Sequence, residues 1–501
     1  MDALLALLPI LLILALMVGR GWSAAMAGSL GLVLAVAVAL AAFGFGQRPD
    51  QALTPARAVG GSMAEALFVA ATILWIVFPA LCIYELQART GGFLAIRAAL
   101  GRLSDDPRLI AILVAWFFAS FMEGAAGFGT PVALAAPILA SLGFPPVQAV
   151  ALALVGHAAA VSFGAVGTPV FAQATLTGLG ELELSRDTAL LHAALAPMLL
   201  VFLVRMVTAS STGLPWGWMV VAAAGFLVPY LAIAALVGPE LPSLAGALAG
   251  GALFAVLLYW RRERRAPPSA SGEWQGLWRA SLPYVVLTIL IVITRLVQPL
   301  RQVLQDVVLQ WSLFGAFNGS IQPLYHPGTM LLLGFVVGTL LQGRQPGEIV
   351  VAAGHAARRL APVVVALVAM VGLSRVMVHA GMVATLADVA AAHLVALWPL
   401  VVPAIGVLGS FVTGSATTSN ILLADFQAAT ARALDLPAAR FVAAQGVGAA
   451  IGNIVCPHNV VAGAATVGLL GREGEVLRRT VLPCLTYAAA GGLLLWLWVV
   501  L

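Results

Sequence analysis

Between Gly124 and Gly180 the only ionisable side chain is His157, yet Gly127, Gly129, Pro131, Pro137, Gly143, Pro145, Pro146, Gly164, Gly167 and Pro169 punctuate the stretch. A segment this apolar belongs at membrane depth, where every backbone N–H and C=O must be paired inside the protein. Glycine and proline there interrupt the helices that would do the pairing. The stretch therefore predicts broken membrane helices, not continuous rods. The chain as a whole is 62% hydrophobic and 9% charged, with a mean hydropathy of +1.04, which excludes a water-soluble protein. Uncharged runs at Gly21 to Gly46, Ala66 to Tyr84, Leu109 to Met122, Met206 to Pro239, Leu241 to Trp260, Pro327 to Gly343, Leu360 to Ser374 and Thr480 to Leu501 each hold a span or more. Their length argues against an outer-membrane barrel and for about 12–14 transmembrane segments in an all-α protein.

The 25 basic residues, all arginine, exceed the 20 acidic ones, and no basic stripe is interleaved with aromatics. The excess points to cytoplasmic loops and away from nucleic acid. Arg261 to Arg265 (RRERR), followed by Ala266, Pro267, Pro268 and Ser269, is a polar mid-chain joint that the positive-inside bias assigns to the cytoplasm. A second polar connector runs from Arg301 to His326. The expected organisation is a first membrane half over 1–260, a linker over 261–280 and a second membrane half over 281–501. Cys82, Cys456 and Cys484 are scattered in apolar segments, which argues against a disulfide framework or a metal site; no cofactor is expected. The run Leu4 to Val18 lacks a basic lead and a cleavage pattern and reads as a first span, with Arg20 marking its cytoplasmic side.

The chain also repeats itself. Ser120-Phe121-Met122-Glu123-Gly124 recurs as Ser410-Phe411-Val412-Thr413-Gly414, and Gly167-Thr168-Pro169 is echoed by Val455-Cys456-Pro457. Thr177-Gly178-Leu179 parallels Val467-Gly468-Leu469, and Gly91-Gly92-Phe93-Leu94 parallels Ala380-Gly381-Met382-Val383. Correspondences in one order at a nearly constant offset argue for two homologous halves. Halves broken at corresponding places are the mark of secondary transporters, which hold substrate near the midplane between the breaks.

The first break, Glu123 to Pro131, lies between apolar flanks each shorter than a span, which predicts a re-entrant hairpin near 109–143. Its glycine-rich tip offers bare N–H groups and a positive helix-dipole end to an anion, making Gly124, Gly127, Gly129 and Thr130 candidates. Close packing through small residues is the competing account of these glycines. The counterpart, Thr413 to Asn420 in a hairpin near 400–433, carries Ser415, Thr417, Thr418, Ser419 and Asn420, which are costly at membrane depth unless they line a cavity or bond back into their own helix. A second pair of breaks, Gly164 to Pro169 and Gly452 to Asn459, adds Thr168 and Asn453, since each proline frees a carbonyl. Glu123, His157 and His458 are the proton-coupling candidates, the histidines because they titrate near neutral pH. Arg205, Arg295 and Arg375 lie near segment ends, where arginine snorkels; Arg375, preceding the second hairpin, is the one expected to face the site. Asp425, with Glu65, Glu85 and Asp388, is expected at a helix end or beside a partner.

At these same segments the chain resembles the L-lactate permease family of bacterial 2-hydroxymonocarboxylate transporters, which includes glycolate permeases. The resemblance rests on Glu123 to Val132 (EGAAGFGTPV), Gly164 to Val170 (GAVGTPV), Gly238 to Pro242 (GPELP), Phe411 to Asn420 (FVTGSATTSN) and Ala462 to Thr480 (AGAATVGLLGREGEVLRRT). It implies an inner-membrane protein of two inverted repeats with paired re-entrant hairpins, similar to the wider ion-transporter superfamily, in which a substrate-carrying domain moves against a scaffold. It also implies proton-coupled symport of lactate or glycolate. The chain departs from the family pattern at Ala416, Asn453 and His458, where an aspartate, a lysine and a glutamine stand in the family. Losing acid and base together leaves no unpaired buried charge.

The expected partners are a small organic carboxylate, a proton, with sodium as the alternative ion, membrane lipid and, as an open assembly, a homodimer. A sulfonate or dicarboxylate is the rival cargo. A membrane-embedded enzyme would call for a nucleophile with a base, or a metal set, and neither His157 nor His458 has a helix-spaced second histidine or carboxylate.

Overall fold

The computed structural model describes residues 2–20, 22–47, 53–91, 103–127, 129–208, 213–261, 271–394, 397–469 and 472–500. Among them, eleven helices are long and apolar enough to cross a membrane. Their burial sorts them. Within the apolar stretch that identifies each span, 28% of Ala24–Ala42 is buried, against 94% for Pro107–Ala125, 100% for Pro146–Thr177 and 94% for Ala438–Thr466. The buried three are the leading leg of the first hairpin and the two broken spans, as they must be, because a helix that ends or breaks at depth exposes backbone groups that lipid cannot satisfy.

Two long helices, Pro55–Arg89 and Pro346–His379, pack against each other. They run antiparallel: His379 Nε2 is 2.6 Å from Glu65 Oε2 at one end, and Arg89 Nη1 is 3.0 Å from His355 Nε2 at the other. A hairpin, a broken span and a closing helix follow in each half. The first hairpin joins Pro107–Ala125 to Thr130–Ser141, and the broken span Pro146–Thr177 leads to Glu181–Val207. The second joins Trp398–Thr413 to Ala416–Ala433, and Ala438–Gly452 with Pro457–Thr466 leads to Glu473–Val500. The halves also exchange elements: Ala416–Ala433 lies on the first half's Gly164–Thr177, and Thr130–Ser141 lies on the second half's Pro457–Thr466. The helix Ser271–Leu296 begins inside the stretch read as a linker. The RRERR joint beyond Arg261, and Gly92-Phe93-Leu94 of the internal repeat, lie outside the described residues.

Small residues set the closeness of the second hairpin. A methyl group on Gly448 would stand 2.1 Å from Pro403 O, and one on Gly406 2.4 Å from Gln445 O, so Trp398–Thr413 and Ala438–Gly452 meet backbone to backbone. The architecture is helical with one addition. The connector after Leu296 forms a short helix, Gln298–Gln305, and an antiparallel pair, Leu309–Leu313 with Phe317–Ile321. These strands are too short to show a periodicity in the sequence. Aromatic contacts dock them: Trp311 meets Phe68 edge-on at 5.7 Å, and the buried Phe317 meets the His379 ring at 4.8 Å.

Gly448→Ala is expected to lower thermal stability by about 1–3 kcal/mol or more through overpacking. Gly354→Ala, on an exposed helical face with nothing within 4 Å, is expected to be neutral or stabilising. Melting curves of the two purified variants check the contrast.

Candidate functional site

The broken segments leave carbonyls without helical partners, and the surrounding side chains meet them one by one. After His157 the first broken span passes into a 3-10 segment, Ala158–Phe163, then turns through Ala165, Val166 and Gly167, all left-handed at φ 43°, 54° and 81°. Two of these are not glycine, and Val166 is β-branched, so the turn stores strain of about 1–2 kcal/mol per residue that its surroundings must hold. Tyr230 Oη donates to Ala159 O at 2.9 Å, Ser243 Oγ to Ala160 O at 2.8 Å and Thr168 Oγ1 to Ala165 O at 2.6 Å. Asn420 Nδ2, from the second hairpin, donates to Pro169 O at 3.2 Å. In the second break, Asn459 Nδ2 donates to Asn453 O at 3.2 Å and also to the Asn453 side-chain oxygen.

Each hairpin touches both breaks. The first tip reverses through Gly127 and Gly129, left-handed at φ 58° and 76°; a Cβ on Gly127 would stand 3.2 Å from Ala165 of the first break, and one on Gly129 3.1 Å from Asn459 Oδ1 of the second. The second tip reverses through Gly414, where an added Cβ would stand 3.3 Å from His458 Cβ, while Asn420 reaches Pro169. No side chain caps the helix that begins at Thr130; Ser415 Oγ caps the other by accepting from Thr418 N–H at 3.3 Å. Thr417 and Thr418 are buried, and their hydroxyls have no partner among the described residues. Glu123 sits between the first tip and the first break: an added Cβ on Gly164 would meet its Oε1 at 2.2 Å, and one on Gly127 at 3.4 Å. Its Oε2 is buried without a hydrogen bond to any described residue and faces His157 Nε2 at 3.8 Å, while His157 Nδ1 lies 2.5 Å from Ala153 O. That contact makes Nδ1 the donor and leaves Nε2 toward the carboxyl group.

Packing gives other candidates structural contacts of their own. Gly124 belongs to a helix contact, its added Cβ falling 2.8 Å from Leu244 N, and is not part of the tip. Ser419 Oγ donates to Gly406 O at 3.1 Å and accepts from Gln445 Nε2 at 3.3 Å, binding the hairpin legs together. Thr130 Oγ1 donates to Gly127 O at 2.7 Å and so steadies the tip. Arg375 is buried against Asp425, which also accepts from Ser374 Oγ at 3.0 Å. Its other contact is Leu176 O at 3.4 Å. Leu176 and Asp425 each lie about two and a half helical turns, roughly 14 Å, beyond break and tip, so this arginine does not face them. Arg295 does not snorkel either; it is buried on Glu240 and stacks 3.6 Å from the Tyr325 ring centroid, whereas Arg205 is exposed. His458 is exposed.

Sequence reasoning missed a chain behind the first break. His192 Nδ1 is 2.6 Å from Tyr487 Oη, His192 Nε2 is 2.8 Å from Ser162 Oγ, and Ser162 Oγ donates to Gly446 O at 3.3 Å. It ties both closing helices to the 3-10 segment, and only coordinates could assemble it from residues so distant in sequence. GPELP also has a structural role: an added Cβ on Gly167 would meet Pro239 O at 2.4 Å, so the loop that Glu240 fastens to Arg295 braces the left-handed turn. Beside it opens a cleft of about 860 Å³ reaching Phe171 and Thr175 of the first broken span. At its rim, outside the spans, burial and the nearby Arg295 charge push His326 down to about 4, consistent with its accepting from Gly328 N–H at 3.3 Å.

The sequence pattern of the L-lactate permease family matches residues 2–501. The chain belongs to the L-lactate permease family. It is 31% identical to an L-lactate permease of Streptococcus iniae over 87% of this chain and 92% of the relative. It is 26% identical to a glycolate permease of Escherichia coli over 99% of this chain and 95% of the relative. Two solved transporters share the fold. The Alcanivorax borkumensis YdaH transporter aligns with a TM-score of 0.55 at 17% identity over 94% of this chain and 98% of its own. Neisseria gonorrhoeae MtrF aligns with a TM-score of 0.53 at 15% identity over 95% of each. As a lactate permease family member with this many spans, the protein is a multi-pass inner-membrane transporter.

In this family member Arg375→Gln strands a buried carboxylate and is expected to cost about 3–5 kcal/mol, read as lost monodisperse protein on size exclusion. The pair Arg375→Gln with Asp425→Asn is expected to restore both folding and substrate affinity. Restored folding without affinity would return Arg375 to the binding site.

Proposed function

We propose that the protein imports a small 2-hydroxymonocarboxylate, lactate or glycolate, together with a proton. The observation that carries this reading is the meeting of both hairpins with both breaks around one buried locus that holds Glu123 and His157. The carboxylate is held without a cation. The uncapped first turn at Thr130 and the first turn after Ser415 supply dipole ends, and Thr417, Thr418 and the Asn453 amide supply donors. With Arg375 and Arg295 already matched to carboxylates, the locus suits a single negative charge better than a dicarboxylate. The names of the relatives, L-lactate permease and glycolate permease, support the same cargo, and support transport over a membrane-embedded enzyme.

The coupling proton resides on Glu123 and His157, which face each other at membrane depth with one unpartnered oxygen between them. A bare carboxylate there is costly, so filling the anion site and loading this pair favour one another. On this reading the two halves are related by inversion, which the antiparallel course of their long helices supports. Positive-inside bias sets the first hairpin's open end, with Arg20, Arg89, Arg108 and Arg344, on the cytoplasmic face.

In proteoliposomes with an alkaline interior, labelled lactate is expected to accumulate, with no accumulation under a sodium gradient alone; the reverse pattern would replace the proton by sodium, and uptake of a dianion alone would replace the cargo. Glu123→Gln is expected to abolish accumulation driven by the pH gradient while lactate exchange persists. For sidedness, Leu324→Cys is expected to react with an impermeant maleimide on intact spheroplasts, and Gln345→Cys only after lysis. The opposite labelling would invert the topology.

A further inference from the structure

We propose that Asn420 is the residue that selects 2-hydroxy acids, by accepting the hydrogen bond of the substrate's hydroxyl group. This rests on the reading of the locus as a carboxylate site and assigns that site its discrimination. Asn420 is 1% exposed. Its Nδ2 donates to Pro169 O at 3.2 Å, and because a carbonyl can only accept, that contact fixes the orientation of the amide and leaves Oδ1 as the free group. Oδ1 is buried and has no hydrogen-bond partner among the described residues. A buried orphan acceptor at the junction of a hairpin and a break is costly, and it calls for a donor brought from outside.

The missing donor is not a carboxylate, which repels an amide oxygen. It is an O–H. One turn earlier on the same helical face, Thr417 presents a buried hydroxyl with no bond to another described residue, which donates to an anion. Cβ atoms three residues apart on a helix stand about 5–6 Å from each other, a gap that a carboxylate and a hydroxyl on neighbouring carbons bridge. A plain carboxylic acid would satisfy Thr417 and leave Asn420 Oδ1 bare. A site built to pair a substrate hydroxyl rejects the analogue lacking it because its own buried group is then unmet.

The test is competition against labelled lactate uptake in proteoliposomes of the full-length protein. For the wild type, propionate, which lacks the hydroxyl, and 2-methoxypropionate, which keeps the oxygen but cannot donate, are each expected to compete about ten- to a hundredfold more weakly than lactate. For Asn420→Ala the ratio of lactate to propionate affinity is expected to collapse toward one. A merely positional role would weaken both acids together and leave the ratio standing, which would overturn the assignment. Should Asn420→Ala fail to fold, the wild-type series decides alone: 2-methoxypropionate competing as well as lactate sinks the inference. Absence of uptake of any small carboxylate would instead remove the transport reading beneath it.

Discussion

Backbone amides have no solvent inside a bilayer, and the arrangement of this protein follows from that. A helix can be broken at membrane depth only if other parts of the chain meet the carbonyls it frees. Here Tyr230, Ser243, Thr168 and Asn420 each meet one at the first break, and Asn459 meets one at the second. That requirement places the broken spans at the centre, wraps continuous helices around them and brings in side chains from five different helices. The small residues follow from the same cause, since partners at hydrogen-bond distance require backbones in contact.

Charge is handled by segregation. Arg375 with Asp425, and Arg295 with Glu240, are buried pairs that fasten elements around the locus without entering it. Each pair contributes to architecture only while intact, because either member alone would be an uncompensated charge. At the tips, the groups offered are hydroxyls, amides and helix ends, and the carboxyl group present, Glu123, faces an imidazole instead of a cation. On the proposed reading, a locus arranged this way would hold an anion without a fixed counter-ion and release it without leaving a bare positive charge behind.

Much of this was legible in the sequence. Proline and glycine in uncharged runs marked both hairpins and both breaks, because their effect on a helix is local. Glu123 and His157 stood out as ionisable groups in an apolar stretch. The roles of particular polar residues were less accessible. Ser419 and Gly124 look like site residues in a motif, yet one clamps hairpin legs and the other packs against Leu244. Arg375 could be given its partner only from coordinates, since Asp425 lies on another helix. The left-handed Ala165 and Val166 left no trace, because neither residue type favours that conformation and only the surroundings impose it. The paired strands at Leu309–Ile321 were too brief to signal.

The reciprocal seating of hairpins across the two halves bears on biogenesis. When the first half has left the ribosome, the carbonyl of Pro169 still lacks Asn420, and the leg Thr130–Ser141 still lacks the helix Pro457–Thr466 on which it rests. The nascent protein therefore passes through a stage in which a half-made bundle holds open polar backbone within the membrane. Insertion machinery must shelter that intermediate until the remaining helices arrive, so completion of the polypeptide and closure of its interior are a single late event.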